Sequence, residues 1–118
     1  MTEMNAKEMA KLAKEALEEK KAEDISVIDI SGVSVLADFF LIASGNNRNQ
    51  VQALADNVEE KLGRAGVSPR QVEGYNTANW VLMDYGDIIV HVFDRENRLF
   101  YDLERIWRDG RRIEPSEL

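Results

Sequence analysis

The fold turns on "NWVLMDYGDIIVHVF", residues 79–93, in which two strand-forming runs flank a short polar break. In the first run Trp80, Leu82 and Asp84 share one parity while Val81, Met83 and Tyr85 share the other, so the two sets project to opposite faces of a sheet. In the second run Ile89, His91 and Phe93 fall together. The break "DYGD" supplies turn residues, and Gly86 gives the backbone freedom that a tight connection needs. The segment therefore reads as an antiparallel hairpin, and the rest of the sheet must be arranged around it.

Upstream, Met9, Leu12, Ala13, Ala16 and Leu17 recur at helical spacing and mark one apolar stripe of a helix from about Asn5 to Lys21. "DISVIDI", residues 24–30, alternates like a strand, with Ile25, Val27 and Asp29 on one side and Ser26, Ile28 and Ile30 on the other. "DFFLIAS", residues 38–44, is a continuous apolar run, which suits a central strand covered on both faces. After Gly45, Asn47 with Gln50 three residues on resembles a helix-opening cap. Val51, Leu54, Ala55, Val58 and Leu62 then carry a buried stripe, with Gly63 and Gly66 as terminators. "QVEGY" is a weaker strand before the hairpin. Beyond it, Leu99, Phe100, Leu103, Ile106 and Trp107 fall at helical spacing, and residues from about 111 read as a frayed tail.

The element order is α-β-β-α-β-β-β-α. A helix between the second and third strands permits a crossover, and the hairpin requires antiparallel neighbours, so the sheet is mixed. The expectation is one α/β domain over residues 1–118, with a five-stranded mixed sheet flanked by helices. At 118 residues the chain has the size of one compact domain.

Composition narrows the functional classes. With no cysteine, the chain has no disulfide framework, thiolate metal site or cysteine nucleophile. No apolar stretch approaches the roughly 20 residues that span a bilayer, and the first residues read as a charged helix rather than a signal peptide, so cytoplasm is the simplest expectation. The net charge is -7, and no Lys or Arg stands between Gln71 and Asp94, where Glu73, Asp84, Asp87 and Asp94 all lie. Such a surface repels nucleic acid phosphates and steers basic partners toward itself; an ordinary solvated acidic face is the plainer reading.

The chemical motifs are sparse. GxxxxGK[ST], GxGxxG and GxSxG are all absent, which removes local support for phosphate-loop, dinucleotide and serine-elbow sites. His91 is the only histidine, so it reads as a hydrogen-bonded structural residue rather than a metal ligand or a base. Asp84 and Asp87 straddle the turn, where aspartates bond to neighbouring backbone amides; a catalytic pair is the competing reading. If Val81 and Met83 face the core, Trp80 and Leu82 form a contact patch rimmed by acid, or else Trp80 is covered by the terminal helix.

"ADFFLIASGNNRNQVQALADNV" and "GYNTANWVLMDYGDIIVHVFDRENRLFYDLERIW", with their spacing, resemble the ribosomal silencing factor family, RsfS, also called the Iojap-related family. The resemblance covers roughly Asn5 to Arg108. It implies a nucleotidyltransferase-like fold without transferase activity and with no cofactor or metal. It also implies binding to ribosomal protein fourteen of the large subunit, which blocks joining of the small subunit and lowers translation when nutrients are scarce. The family's W-x-L-x-D-Y-G segment matches Trp80, Leu82, Asp84, Tyr85 and Gly86, a region associated with the ribosomal contact. On that basis Trp80 is the leading apolar anchor, Leu82 and Tyr85 lie beside it, and Asp84 and Asp87 are partners for Lys or Arg. Tyr75 and Asn79 are added by proximity. Tyr101, Glu104 and Trp107 take packing and helix-surface roles.

This chain departs from the family where Asn46 and Asn47 replace the usual Ser or Thr after Ser44-Gly45, and where Ala37 precedes Asp38. Two rival readings remain. One is a nucleotidyltransferase-like enzyme that holds a divalent ion with Asp84, Asp87 and a third carboxylate at Asp38. The other is a homodimer formed through the same patch.

Overall fold

The computed structural model describes residues 5–32, 35, 37–95 and 111–113. The elements are α1 (Ala6–Glu19), β1 (Glu23–Asp29), β2 (Phe39–Gly45), α2 (Arg48–Arg64), β3 (Gln71–Glu73), β4 (Trp80–Asp84), β5 (Ile88–Asp94) and β6 (Arg111–Ile113). The sheet order is β3-β4-β5-β2-β1-β6. β2 and β5 pair in parallel and the remaining neighbours are antiparallel. The sheet is thus mixed, as α2 between β2 and β3 and the β4–β5 hairpin require. The expected terminal helix lies outside the described residues, as do Tyr101, Glu104 and Trp107.

The five expected strands are all present, and a sixth joins them. Arg111–Ile113 is strand, not tail: it pairs antiparallel with β1, Val27 opposite Ile113, and Ile113 is 7% exposed within the core. Three residues carry too little periodicity to announce a strand, whereas pairing against an existing β1 edge satisfies their backbone groups.

Both helix starts follow from local chemistry. Asn5 caps α1 through the Glu8 amide, and Asn47 caps α2 through the Gln50 amide at 2.8 Å. Gln50 reaches back to accept from the Asn46 N–H at 2.6 Å, so the amide just before the cap is satisfied along with that of Gln50. At the other end Gly66 takes φ +87°, and Val67 and Gly66 donate to the Leu62 and Gly63 carbonyls. That closure is a Schellman motif, with Gly66 at the left-handed position.

Both described helices pack on one face of the sheet. Met9, Ala13 and Leu17 of α1 meet Leu54, Val58 and Leu62 of α2 over Val27, Leu41, Val81, Met83 and Val92. The opposite face carries a smaller cluster of Ile28, Ile30, Ala37, Phe40, Ile42 and Phe93, with Trp80 and Ile89 packed against it. β2 is central and buried on both sides, as its unbroken apolar run demanded. Each fully buried Leu, Ile or Val contributes roughly 1.5 to 3 kcal/mol of transfer free energy, so the larger cluster dominates stability.

Candidate partner interface

The register of β4 places the site. Trp80, Leu82 and Asp84 lie opposite Phe93, His91 and Ile89 of β5, and these continue to Ser44, Ile42 and Phe40 of β2. All nine therefore share the face away from α1 and α2. Along β4, Trp80, Leu82 and Asp84 are partly exposed, while Val81 and Met83 are fully buried on the helix side. On β3, Glu73 sits beside Leu82 and Gln71 beside Asp84, both exposed, so a polar and acidic margin runs along this strand.

Among the described residues, Trp80 is held from two directions. Its ring stacks on Phe93 with centroids 5.2 Å apart, and its Nε1–H donates to His91 Nδ1 at 3.0 Å. His91 is 4% exposed and meets Phe40 edge-on at 4.8 Å. Burial pushes its pKa down to about 4, so the imidazole is neutral near pH 7. Because Nδ1 accepts from Trp80, the ring proton belongs on Nε2, which is buried without a hydrogen-bond partner among the described residues. The reading of His91 as a hydrogen-bonded structural residue holds, and its partner is the leading candidate anchor.

Asp84 and Asp87 serve the hairpin turn. Asp84 Oδ1 accepts the Gly86 N–H at 2.8 Å, and Tyr85 and Ile88 close the turn through a 3.0 Å backbone bond. Asp87 is exposed, and its carbonyl accepts from the amides of Asp38 and Phe39. Among the described residues, no three His, Cys, Asp or Glu side chains gather to hold a metal ion. The Asp84 carboxylate caps the turn, whereas Asp87 joins it through its backbone and leaves its acid on the surface.

Tyr85 lies elsewhere than a direct contact requires. Its side chain belongs to the helix-side core at 6% exposure, with its hydroxyl buried and without a hydrogen-bond partner among the described residues, and burial raises its pKa. The odd spacing from Trp80 sends the two rings to opposite faces. Its role is packing behind the turn.

Tyr75 and Asn79 belong to a loop braced against α2. Arg48 donates to the Asn76 carbonyl at 2.5 Å and Gln52 to the Tyr75 carbonyl at 3.0 Å, while the Tyr75 hydroxyl donates to Asp56 at 3.0 Å. That last bond raises the Tyr75 pKa, because it favours the protonated phenol. Arg48, Gln52 and Asp56 are spaced i, i+4, i+8, so one polar stripe of α2 holds the loop. Sequence reading missed this stripe, whose signal was the polar repeat itself. Gly74 closes the loop at φ +79°, where an added Cβ would lie 2.1 Å from the Trp80 carbonyl. Exposed Asn79 accepts the Asp94 N–H at 3.1 Å and leads directly into Trp80.

Comparison with known proteins now adds to the geometry. The family model described as "Ribosomal silencing factor during starvation" matches residues 3–118. The chain belongs to the RsfS family. It is 43% identical over 107 residues to the protein named ribosomal silencing factor RsfS from Bacillus subtilis strain 168, covering 91% of each chain. A crystal structure of a Chromobacterium violaceum protein superposes with a TM-score of 0.86 at 42% identity, over 88% of this chain and 87% of that one. A second, from Bacillus halodurans, gives a TM-score of 0.82 at 40% identity, over 92% and 98%. The fold is therefore shared with these two structures over 88% and 92% of this chain.

Proposed function

We propose that the chain is a ribosomal silencing factor that acts without catalysis. It docks the β3–β4 margin of its sheet, on the face away from α1 and α2, onto ribosomal protein fourteen of the large subunit and sterically prevents the small subunit from joining, so that translation falls when nutrients are scarce. The observation that carries this reading is the family match over residues 3–118. No cofactor or metal takes part, and the setting is the cytoplasm.

The physical features are consistent with such a role. Trp80 and Leu82 offer neighbouring apolar area on one strand, and Glu73, Asp84 and Asp87 supply negative charge, while the Arg70 side chain lies against Gly86 between the two aspartates. Basic ribosomal proteins are drawn to such a field, while rRNA phosphates are not. Asn79 borders Trp80, whereas Tyr75 and Tyr85 support the contact from behind. The Cα extents are 36 × 32 × 25 Å, so a molecule seated between subunits holds them apart by its bulk alone.

Subunit joining tests the proposal. Purified large subunits are incubated with the protein, small subunits are added, and the mixture is resolved on a sucrose gradient. The associated peak should fall as the protein rises, with the protein travelling in the large-subunit fraction. An unchanged associated peak, or no protein with the large subunit, overturns the reading.

A further inference from the structure

Trp80 is a large ring on a β-strand, and a partly exposed ring of that kind has more than one way to lie on the surface. Its stacking on Phe93, with 24° between the planes, fixes the plane of the indole but not which edge points where. Among the described residues, the edge is set by the only polar atom of the ring, Nε1, which donates to His91 Nδ1. The two residues are diagonal neighbours on adjacent strands, since Trp80 pairs with Phe93 and Leu82 with His91.

His91 is itself confined. It is 4% exposed, meets Phe40 edge-on at 4.8 Å and lies between Leu82 and Ile42 in the sheet. On its own face β4 contributes Asp84 as the charged group and β3 contributes Glu73, while β2 contributes Phe40, Ile42 and Ser44. Asp84 is engaged with the Gly86 amide. Among the described residues the buried Nε2 has no partner, so the site tolerates an unsatisfied donor to keep an acceptor turned toward the indole. A leucine there would remove that cost.

We infer that His91 is a positioning residue, whose Nδ1 locks the Trp80 indole in the orientation presented to the ribosomal partner. The inference rests on the reading of Trp80 as the apolar anchor. An anchor already held in its bound orientation loses less freedom on docking, which improves affinity with no added contact.

The test has a spectroscopic arm and a binding arm, both with the full chain. Nitrogen-resolved NMR of the free protein should find His91 protonated on Nε2 and bare on Nδ1, and the Trp80 indole N–H should exchange faster in His91→Leu. Co-sedimentation with purified large subunits then compares wild type, Trp80→Ala, His91→Leu and His91→Asn. Asn places an acceptor oxygen near the Nδ1 position. His91→Leu should weaken binding roughly 3- to 10-fold, and His91→Asn should recover most of it.

A proton found on Nδ1 overturns the inference. So does wild-type binding by folded His91→Leu, or equal weakening by Leu and Asn, in each case with Trp80→Ala defective and the anchor reading intact. Unimpaired binding by Trp80→Ala overturns the anchor and this inference together.

Discussion

Trp80 and Tyr85, five residues apart, serve opposite faces of one sheet: the indole packs with Phe93 and His91, and the phenol is buried beneath the two helices. Binding and stability should therefore separate between them. Tyr85→Phe removes a buried hydroxyl that has no partner among the described residues, so stability should hold or rise by up to about 1 kcal/mol. Tyr85→Ala should cost about 3 to 5 kcal/mol through the cavity it leaves. Urea unfolding measures both, and Tyr85→Phe should bind large subunits as wild type does.

The acidic margin should act on encounter more than on the final complex. Asp87→Asn and Glu73→Gln, both at exposed positions, should lower the association rate and flatten its salt dependence with little change in stability. Asp84→Ala also removes the cap on the Gly86 amide, so it should cost roughly 1 kcal/mol of stability in addition. Stopped-flow association at several ionic strengths separates the two effects.

Acid should weaken the fold through His91. Its native pKa of about 4 lies below the ordinary value of 6.5, so the unfolded chain takes up the proton first as pH falls. The stability contributed by neutral burial is complete above about pH 6.5 and is lost progressively as pH falls to about 4, by about 3 kcal/mol at most. The carboxylates of Glu19 and Glu23, held low by hydrogen bonds from Lys61 and Arg95 respectively, titrate below their usual 4.5. Unfolded carboxylates begin to take up protons about one unit above 4.5, so the window from about 6.5 to 5.5 isolates the histidine. Urea unfolding across that window should show a slope in wild type that His91→Leu lacks.

Gly74→Ala should disturb the approach to Trp80. The left-handed backbone alone costs about 1 to 3 kcal/mol for a residue with a Cβ, and here that Cβ would collide with the Trp80 carbonyl. Thermal unfolding should report lower stability, and large-subunit binding should weaken because the braced loop no longer sets Asn79 and Trp80.

The hairpin, the two described helices and the central position of β2 were legible because each follows from a local rule: alternation, helical period, capping residues or an unbroken apolar run. The faces of β4 were legible for the same reason, since parity alone separates Trp80 from Tyr85. Matching the family segment residue by residue nonetheless put Tyr85 among the contacts, because a motif carries no record of which way its side chains turn. β6 was illegible: three residues after Gly110 become strand only because the β1 edge is there to pair with. The brace from Arg48, Gln52 and Asp56 joins residues 19 to 28 positions apart, and the Trp80–His91 bond depends on strand register. Such contacts arise from tertiary placement and leave only faint traces in composition.

The most direct test compares wild type with Trp80→Ala in equilibrium co-sedimentation with purified large subunits, after circular dichroism has shown the variant folded. A central aromatic anchor should cost about 2 to 4 kcal/mol of binding when truncated, so the variant should remain in the supernatant at concentrations where wild type pellets. A folded Trp80→Ala that pellets with large subunits as wild type does would contradict docking through this face of the sheet.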